Sequence, residues 1–181
     1  MYGFAGTRRN YFVLLVLLGF VVLLQSCEKW GICRKVERLK RQVIHIPSEA
    51  FSTLSNDTKE YKLLVYVDSC ECSSCFVEHI FLYRNVYAQI ADQCDMLVVL
   101  SPSEKDRART RHLLSIQRLP FSVWIDVKES FMKENPELPS DSRFHSFLLD
   151  KQNRPVVIGD PVKYPPILEL IKAKTNSYES K

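Results

Sequence analysis

An apolar run from Leu63 to Val67 ends on Asp68 and passes straight into Ser69-Cys70-Glu71-Cys72-Ser73-Ser74-Cys75, where a helical pattern takes over near Ser73. No other stretch constrains the fold as much. Lys62 to Asp68 is apolar at nearly every position, the mark of a central strand buried on both faces. Beyond it, Phe76, Ile80, Tyr83, Tyr87 and Ile90 recur at alternating steps of four and three, which predicts an amphipathic helix of about twenty residues. A buried strand, a cysteine turn and a helix in direct succession point to an α/β domain.

The following segments extend that reading. Asp95 to Ser101 holds a second buried strand, and Ser103 with Asp106 three residues on starts a charged helix reaching about Leu114. Leu119 to Asp126 is a third strand, with a short helix over Glu129 to Glu134 ended by Pro136. His145 to Leu149 and Val156 to Ile158, split by a polar turn and closed by Gly159, read as a hairpin. A last helix starts near Pro165 and Pro166, with Ile167, Leu168, Leu170 and Ile171 as its buried side, and the tail over residues 176–181 is expected to be disordered. Ahead of all these, Gln42 to Ile46 alternates, is β-branched and stops at Pro47, so it is expected to be an edge strand. His45 on it faces solvent and takes no role. Asn56-Asp57-Thr58 fits a glycosylation sequon, which has no meaning beside a bacterial export signal. Strands alternating with helices and then an antiparallel hairpin make a mixed central sheet with helices on both faces, a three-layer α/β fold.

The chain's front end is of a different kind. Arg8 and Arg9 precede an unbroken apolar run from Tyr11 to Leu24. Spanning a bilayer takes roughly 20 residues, so this shorter run suits the core of a signal peptide. It closes in Leu24-Gln25-Ser26-Cys27, which resembles a bacterial lipobox: residues 1–26 are then removed and Cys27 is lipidated. An uncleaved anchor is the competing reading, and a buried core helix the remaining one. Either of the first two places the rest of the chain outside the cytoplasm, facing the periplasm or the cell exterior, where disulfides persist.

Loss of residues 1–26 leaves 23 basic against 21 acidic residues, which is not a nucleic-acid-binding balance. Positive charge concentrates in residues 27–41, where Lys29, Arg34, Lys35, Arg38, Lys40 and Arg41 face only Glu28 and Glu37. That segment reads as a basic, membrane-proximal tether, solvated or resting on anionic headgroups. Arg107, Arg109 and Arg111 are interleaved with acids and read as a solvated face rather than a phosphate patch.

The succession resembles the thioredoxin-like fold, specifically its TlpA-like branch of membrane-tethered thiol-disulfide oxidoreductases, related to the peroxiredoxins. The residues that carry the resemblance are the buried strand entering Cys72-x-x-Cys75 at a helix start, and Phe147 to Asn153 with Val156-Val157-Ile158-Gly159 before the terminal helix. It covers roughly residues 60–173 of a domain taken as 42–175, and such lipoproteins are familiar from Bacteroidetes-type bacteria. The resemblance implies an oxidoreductase needing no cofactor, acting on the thiols or disulfides of exported proteins. Two positions depart from the family: Glu71 replaces the tryptophan that often precedes the first cysteine, and Phe144 stands where the cis-proline facing the dithiol is expected. The flanking threonine and proline of a peroxidatic cysteine are also missing.

Thiol-disulfide exchange needs a thiolate to attack and a second thiol to release the mixed disulfide. Cys72, at the helix N-terminus where free N–H groups favour the thiolate, is the candidate nucleophile; Cys75, one turn along, is the resolving thiol. Glu71 opposes ionisation of Cys72 by its negative charge. Two other readings stand beside exchange. One is a Cu or Zn carrier built from Cys70, Cys72, Cys75 and His79, an accepted thiolate–imidazole set. The other is an inactive binding protein of the same fold whose cysteines are structural or idle. Cys33, Cys70 and Cys94 remain, with Cys94 read as a small apolar core residue.

Overall fold

The computed structural model describes residues 31–52 and 59–176. The expected signal peptide over residues 1–26, Cys27, the Asn56-Asp57-Thr58 sequon and residues 177–181 lie outside the described residues. The chain divides into two compact units, Met1–Arg38 and Leu39–Lys181. The described residues of the first, 31–38, belong to a helix, α1, that runs over 31–39. Among the described residues no helix is long and apolar enough to cross a membrane.

The second unit is built on a five-stranded sheet. β1 (Tyr61–Val67), β2 (Cys94–Leu100) and β3 (Ser122–Ile125) run parallel, β4 (Ser146–Leu149) and β5 (Pro155–Ile158) run antiparallel to their neighbours, and the order is β3-β2-β1-β4-β5. β1 is central, with Val65 opposite both Val98 and Ser146. Its six residues from Lys62 to Val67 are buried, as an apolar run flanked on both edges requires. The remaining elements are α2 (Ser48–Phe51), α3 (Ser73–Glu78), α4 (Phe81–Tyr87), α5 (Glu104–Ser115), α6 (Ser130–Glu134), a 3-10 turn over Ser142–Phe144, and α7 (Pro165–Asn176).

One face of the sheet presents Leu63, Val65, Val67, Met96, Val98 and Leu100 to Val77 of α3, Tyr83 and Val86 of α4 and Ile171 of α7. On the other face Tyr66 stacks on Phe131 of α6, ring centroids 4.7 Å apart. Helices therefore cover both faces of a mixed sheet, as the sequence implies. Burying these apolar side chains supplies the main driving force for folding, at roughly 25 cal/mol per Å² of apolar surface.

Four local expectations are corrected. Gln42 to Ile46 is not a strand: the Ile44 N–H bonds the Asn153 carbonyl, and the Asn135 side chain takes both the N–H and the carbonyl of His45. An amide side chain thus replaces a neighbouring strand. The twenty-residue helix is broken into α3 and α4 at His79-Ile80. The His79 ring Nδ1–H donates to the Cys75 carbonyl, which the His79 backbone N–H would take in a continuous helix, and that N–H bonds Phe76 instead. Leu170 is 54% exposed, and α7 buries Ile171 and Thr175. Ser103 starts α5 without a side-chain cap: the Asp106 N–H takes the Ser103 backbone carbonyl, and the Asp106 carboxylate is engaged with Ser74.

Gly159 has a structural reason to be glycine. Its φ is +132°, and a Cβ there would lie 3.0 Å from Ile167 of α7. This close approach turns the chain out of β5 into residues 160–163, which border the cysteine turn.

Candidate functional site

The fold is thioredoxin-like: the central strand of a mixed five-stranded sheet delivers a Cys-x-x-Cys pair to the start of the next helix, and an antiparallel hairpin and a helix close the chain. Asp68 shapes the turn. Its carboxylate accepts the Cys70 N–H at 2.6 Å and its carbonyl the Glu71 N–H at 3.1 Å, a local loop that Asp favours. Cys72 is then the N-cap of α3, with extended backbone (φ −78°, ψ 96°). Its carbonyl accepts the Phe76 N–H at 3.0 Å, and its sulfur accepts the Cys75 N–H at 3.2 Å. A sulfur here does the work usually given to a Ser or Asp cap.

Cys72 and Cys75 are joined by a disulfide, with Cα atoms 5.2 Å apart, and both residues are exposed. Accessibility therefore does not distinguish the sulfurs. What distinguishes them is the donor set: the Cys75 N–H points at the Cys72 sulfur, and the Ser74 hydroxyl lies 3.6 Å from it. Both contacts favour negative charge on Cys72 once the bond is opened.

Two carboxylates act in the opposite sense. Glu71 precedes the sulfur, as the sequence shows, but Lys163 Nζ stands 3.9 Å from it, offsetting part of its charge. Asp106 reaches over from α5 and accepts the Ser74 N–H at 2.8 Å. Burial disfavours its ionisation, but the bonds from Ser74 and the charge of Arg109 outweigh this and hold its carboxyl below the ordinary value. On the same helix, Arg109 pairs with Glu78 at the other end of α3 at 2.6 Å. α5 is thus docked along the cysteine helix by a carboxylate and a guanidinium, and Arg109 is an ion-pair partner rather than part of a phosphate patch.

Beside the disulfide lies a groove of about 390 Å³ lined by Phe76, Leu82 and Tyr83 on one side and Val162 and Lys163 on the other. Its second wall is fixed by buried Asp160, which accepts the N–H groups of Val162 and Lys163 at 2.9 and 3.3 Å and the Tyr83 hydroxyl at 2.7 Å. Sequence reasoning missed this wall and Asp106. Gly159-Asp160-Pro161 carried a turn signal that places such a loop, but nothing local pairs Asp160 with Tyr83, or Asp106 with Ser74. Phe144 does not form the wall; it is buried in the 3-10 turn, and no peptide bond among the described residues is cis.

The metal set does not assemble. Cys72 and Cys75 are bonded to each other, the His79 Nδ1–H is committed to the Cys75 carbonyl, and among the described residues no group of three or more His, Cys, Asp or Glu could hold a metal ion. Cys33 and Cys70 are free and exposed. Cys94 is fully buried, as a core residue should be; burial pushes its thiol up to about 12.

No protein-family model matches the chain, and no curated protein matches it in sequence. Solved structures similar to it include a thioredoxin-like protein from Bacteroides caccae at 16% identity and TM-score 0.43, covering 64% of this chain and 40% of that one. StoA from Bacillus subtilis is 21% identical over 63% of this chain and 81% of its own, with TM-score 0.44. Peroxiredoxin Q from Xanthomonas campestris is 15% identical over 74% of this chain and 98% of its own, with TM-score 0.48. The thioredoxin-like assignment rests on strand order and on the place of the cysteine pair, not on these scores.

Proposed function

We propose that this chain is a thiol-disulfide oxidoreductase of exported proteins, anchored to a membrane through lipidated Cys27, with Cys72 as the exchanging sulfur and Cys75 as the resolving one. The observation that carries the reading is the Cys72 sulfur at the cap of α3, reachable from solvent and holding the Cys75 N–H. In the reducing direction, the Cys72 thiolate attacks a substrate disulfide and expels one substrate thiolate. Cys75 then attacks Cys72 of the mixed disulfide, releasing the second substrate thiolate and re-forming the Cys72–Cys75 bond. Two electrons pass to the substrate, and the protons of Cys72 and Cys75 end on its thiols. The oxidising direction reverses each step. The groove lined by Phe76 and Val162 would seat the apolar side chains flanking a substrate cysteine.

The test is a titration of the full-length chain in glutathione buffers, with the cysteines mapped by mass spectrometry. A Cys72–Cys75 bond that opens and closes reversibly between about −120 and −270 mV supports exchange. If the two never pair, or if Cys72→Ser leaves reduction of a protein disulfide such as that of insulin unchanged, the reading fails. The anchor is tested separately: labelling cells with radioactive palmitate should mark the wild-type chain and not Cys27→Ala, and an unlabelled wild-type chain would overturn that part.

A further inference from the structure

Ser74 touches both the cysteine pair and Asp106. Its N–H donates to Asp106 Oδ2 at 2.8 Å, and its hydroxyl lies 3.6 Å from the Cys72 sulfur. Asp106 comes from α5, whose position against α3 is fixed at the far end by Arg109 and Glu78, so the carboxylate is held at the start of the cysteine helix. A Ser74 N–H without Asp106 would add its partial positive charge to the donors around Cys72. With Asp106 present, that donor is neutralised and a negative charge is added at the first turn of the helix that Cys72 caps.

We propose that Asp106 is a positioning residue that, acting through Ser74, sets the redox balance of the Cys72–Cys75 pair by disfavouring the Cys72 thiolate. This deepens the exchange reading above and rests on it. The reduced state contains the thiolate and the disulfide state does not. A charge that disfavours the thiolate therefore shifts the couple toward the disulfide and makes the protein the stronger reductant. The other charged or titratable groups lining the groove beside the pair are Glu71, which acts in the same direction, Lys163, which is shared between Glu71 and Asp160, Tyr83, whose hydroxyl is held on Asp160, and His79, whose ring is held on the Cys75 carbonyl. Arg109, on α5 itself, is shared between Asp106 and Glu78.

The balance is read from equilibrium with glutathione: the protein disulfide and two glutathione molecules give the protein dithiol and glutathione disulfide, the two glutathione protons passing to Cys72 and Cys75. Asp106→Asn in the full chain keeps an oxygen for the Ser74 N–H and removes the charge. Its equilibrium constant should move toward the dithiol by about tenfold at neutral pH, equivalent to about 30 mV. A thermal melt of the oxidised form identifies a purely structural role, which would lower the melting temperature and leave the equilibrium in place. A shift of less than threefold, or one toward the disulfide, overturns the proposal while the wild-type pair still cycles. A wild-type pair that does not cycle overturns the exchange reading instead. Should Asp106→Asn fail to fold, Asp106→Ser removes the same charge with a smaller side chain, and it should likewise move the equilibrium toward the dithiol by threefold or more; no movement, or movement toward the disulfide, overturns the proposal.

Discussion

The Tyr83 hydroxyl donates to Asp160 Oδ2 at 2.7 Å across 77 residues of chain, joining α4 to the loop that forms the second wall of the groove. Tyr83 is buried, and its phenol is pushed well up, first by burial and then by the Asp160 charge. It stays protonated and stays a donor. Tyr83→Phe should cost about 1.5–3 kcal/mol, because it leaves one oxygen of a buried carboxylate without this bond. Urea unfolding of the oxidised variant measures it, and a midpoint equal to wild type would show that the bond carries no net stability.

Asn135 makes a second long-range tie. It accepts the His45 N–H at 2.8 Å and donates to the carbonyls of His45 and Phe131 at 2.8 and 2.7 Å. Asn135→Ala removes three bonds at once and should cost about 2–4 kcal/mol. Asn135→Asp keeps the acceptor, loses both donors and sets a carboxylate against two carbonyls, so it should be destabilised too. Paired urea curves for the two variants check both expectations.

Asp106 also predicts the shape of the acid limb. Its carboxyl sits below the ordinary value of 3.8 in the folded chain, despite burial, because of the Ser74 bonds and Arg109. Its contribution to stability is therefore complete above the unfolded value and is lost as pH falls through the lower, folded one. Asp106→Asn should flatten the fall in stability below about pH 4 and leave the slope near neutrality unchanged. Unfolding curves at stepped pH give the comparison.

These ties mark the boundary of what the sequence made legible. β1 and β2 were readable because a strand buried on both faces has to be apolar at nearly every position, and Cys72–Cys75 because the turn follows such a strand directly. The long helix was misread: periodicity of apolar side chains does not register that the His79 ring can occupy the Cys75 carbonyl. Gln42 to Ile46 had the composition of a strand, but its backbone partners are the side chain of Asn135 and the carbonyl of Asn153, which no local pattern reveals. Asp106 looked like part of a capping pair with Ser103; its real partner, Ser74, precedes it by 32 residues. Local rules identified the cysteines and their helix start. The groups that tune and border them arrive through tertiary contact.

The central claim is that the two exposed sulfurs are unequal, with Cys72 the exchanging one. The direct measurement compares Cys75→Ser and Cys72→Ser, each reduced and then offered a small aromatic disulfide at neutral pH, with mixed-disulfide formation followed by mass spectrometry at the remaining cysteine of the pair. Cys72 in Cys75→Ser should react at least several-fold faster than Cys75 in Cys72→Ser, because the Cys75 N–H and the Ser74 hydroxyl face the Cys72 sulfur. Equal rates, or a faster Cys75, would contradict the account.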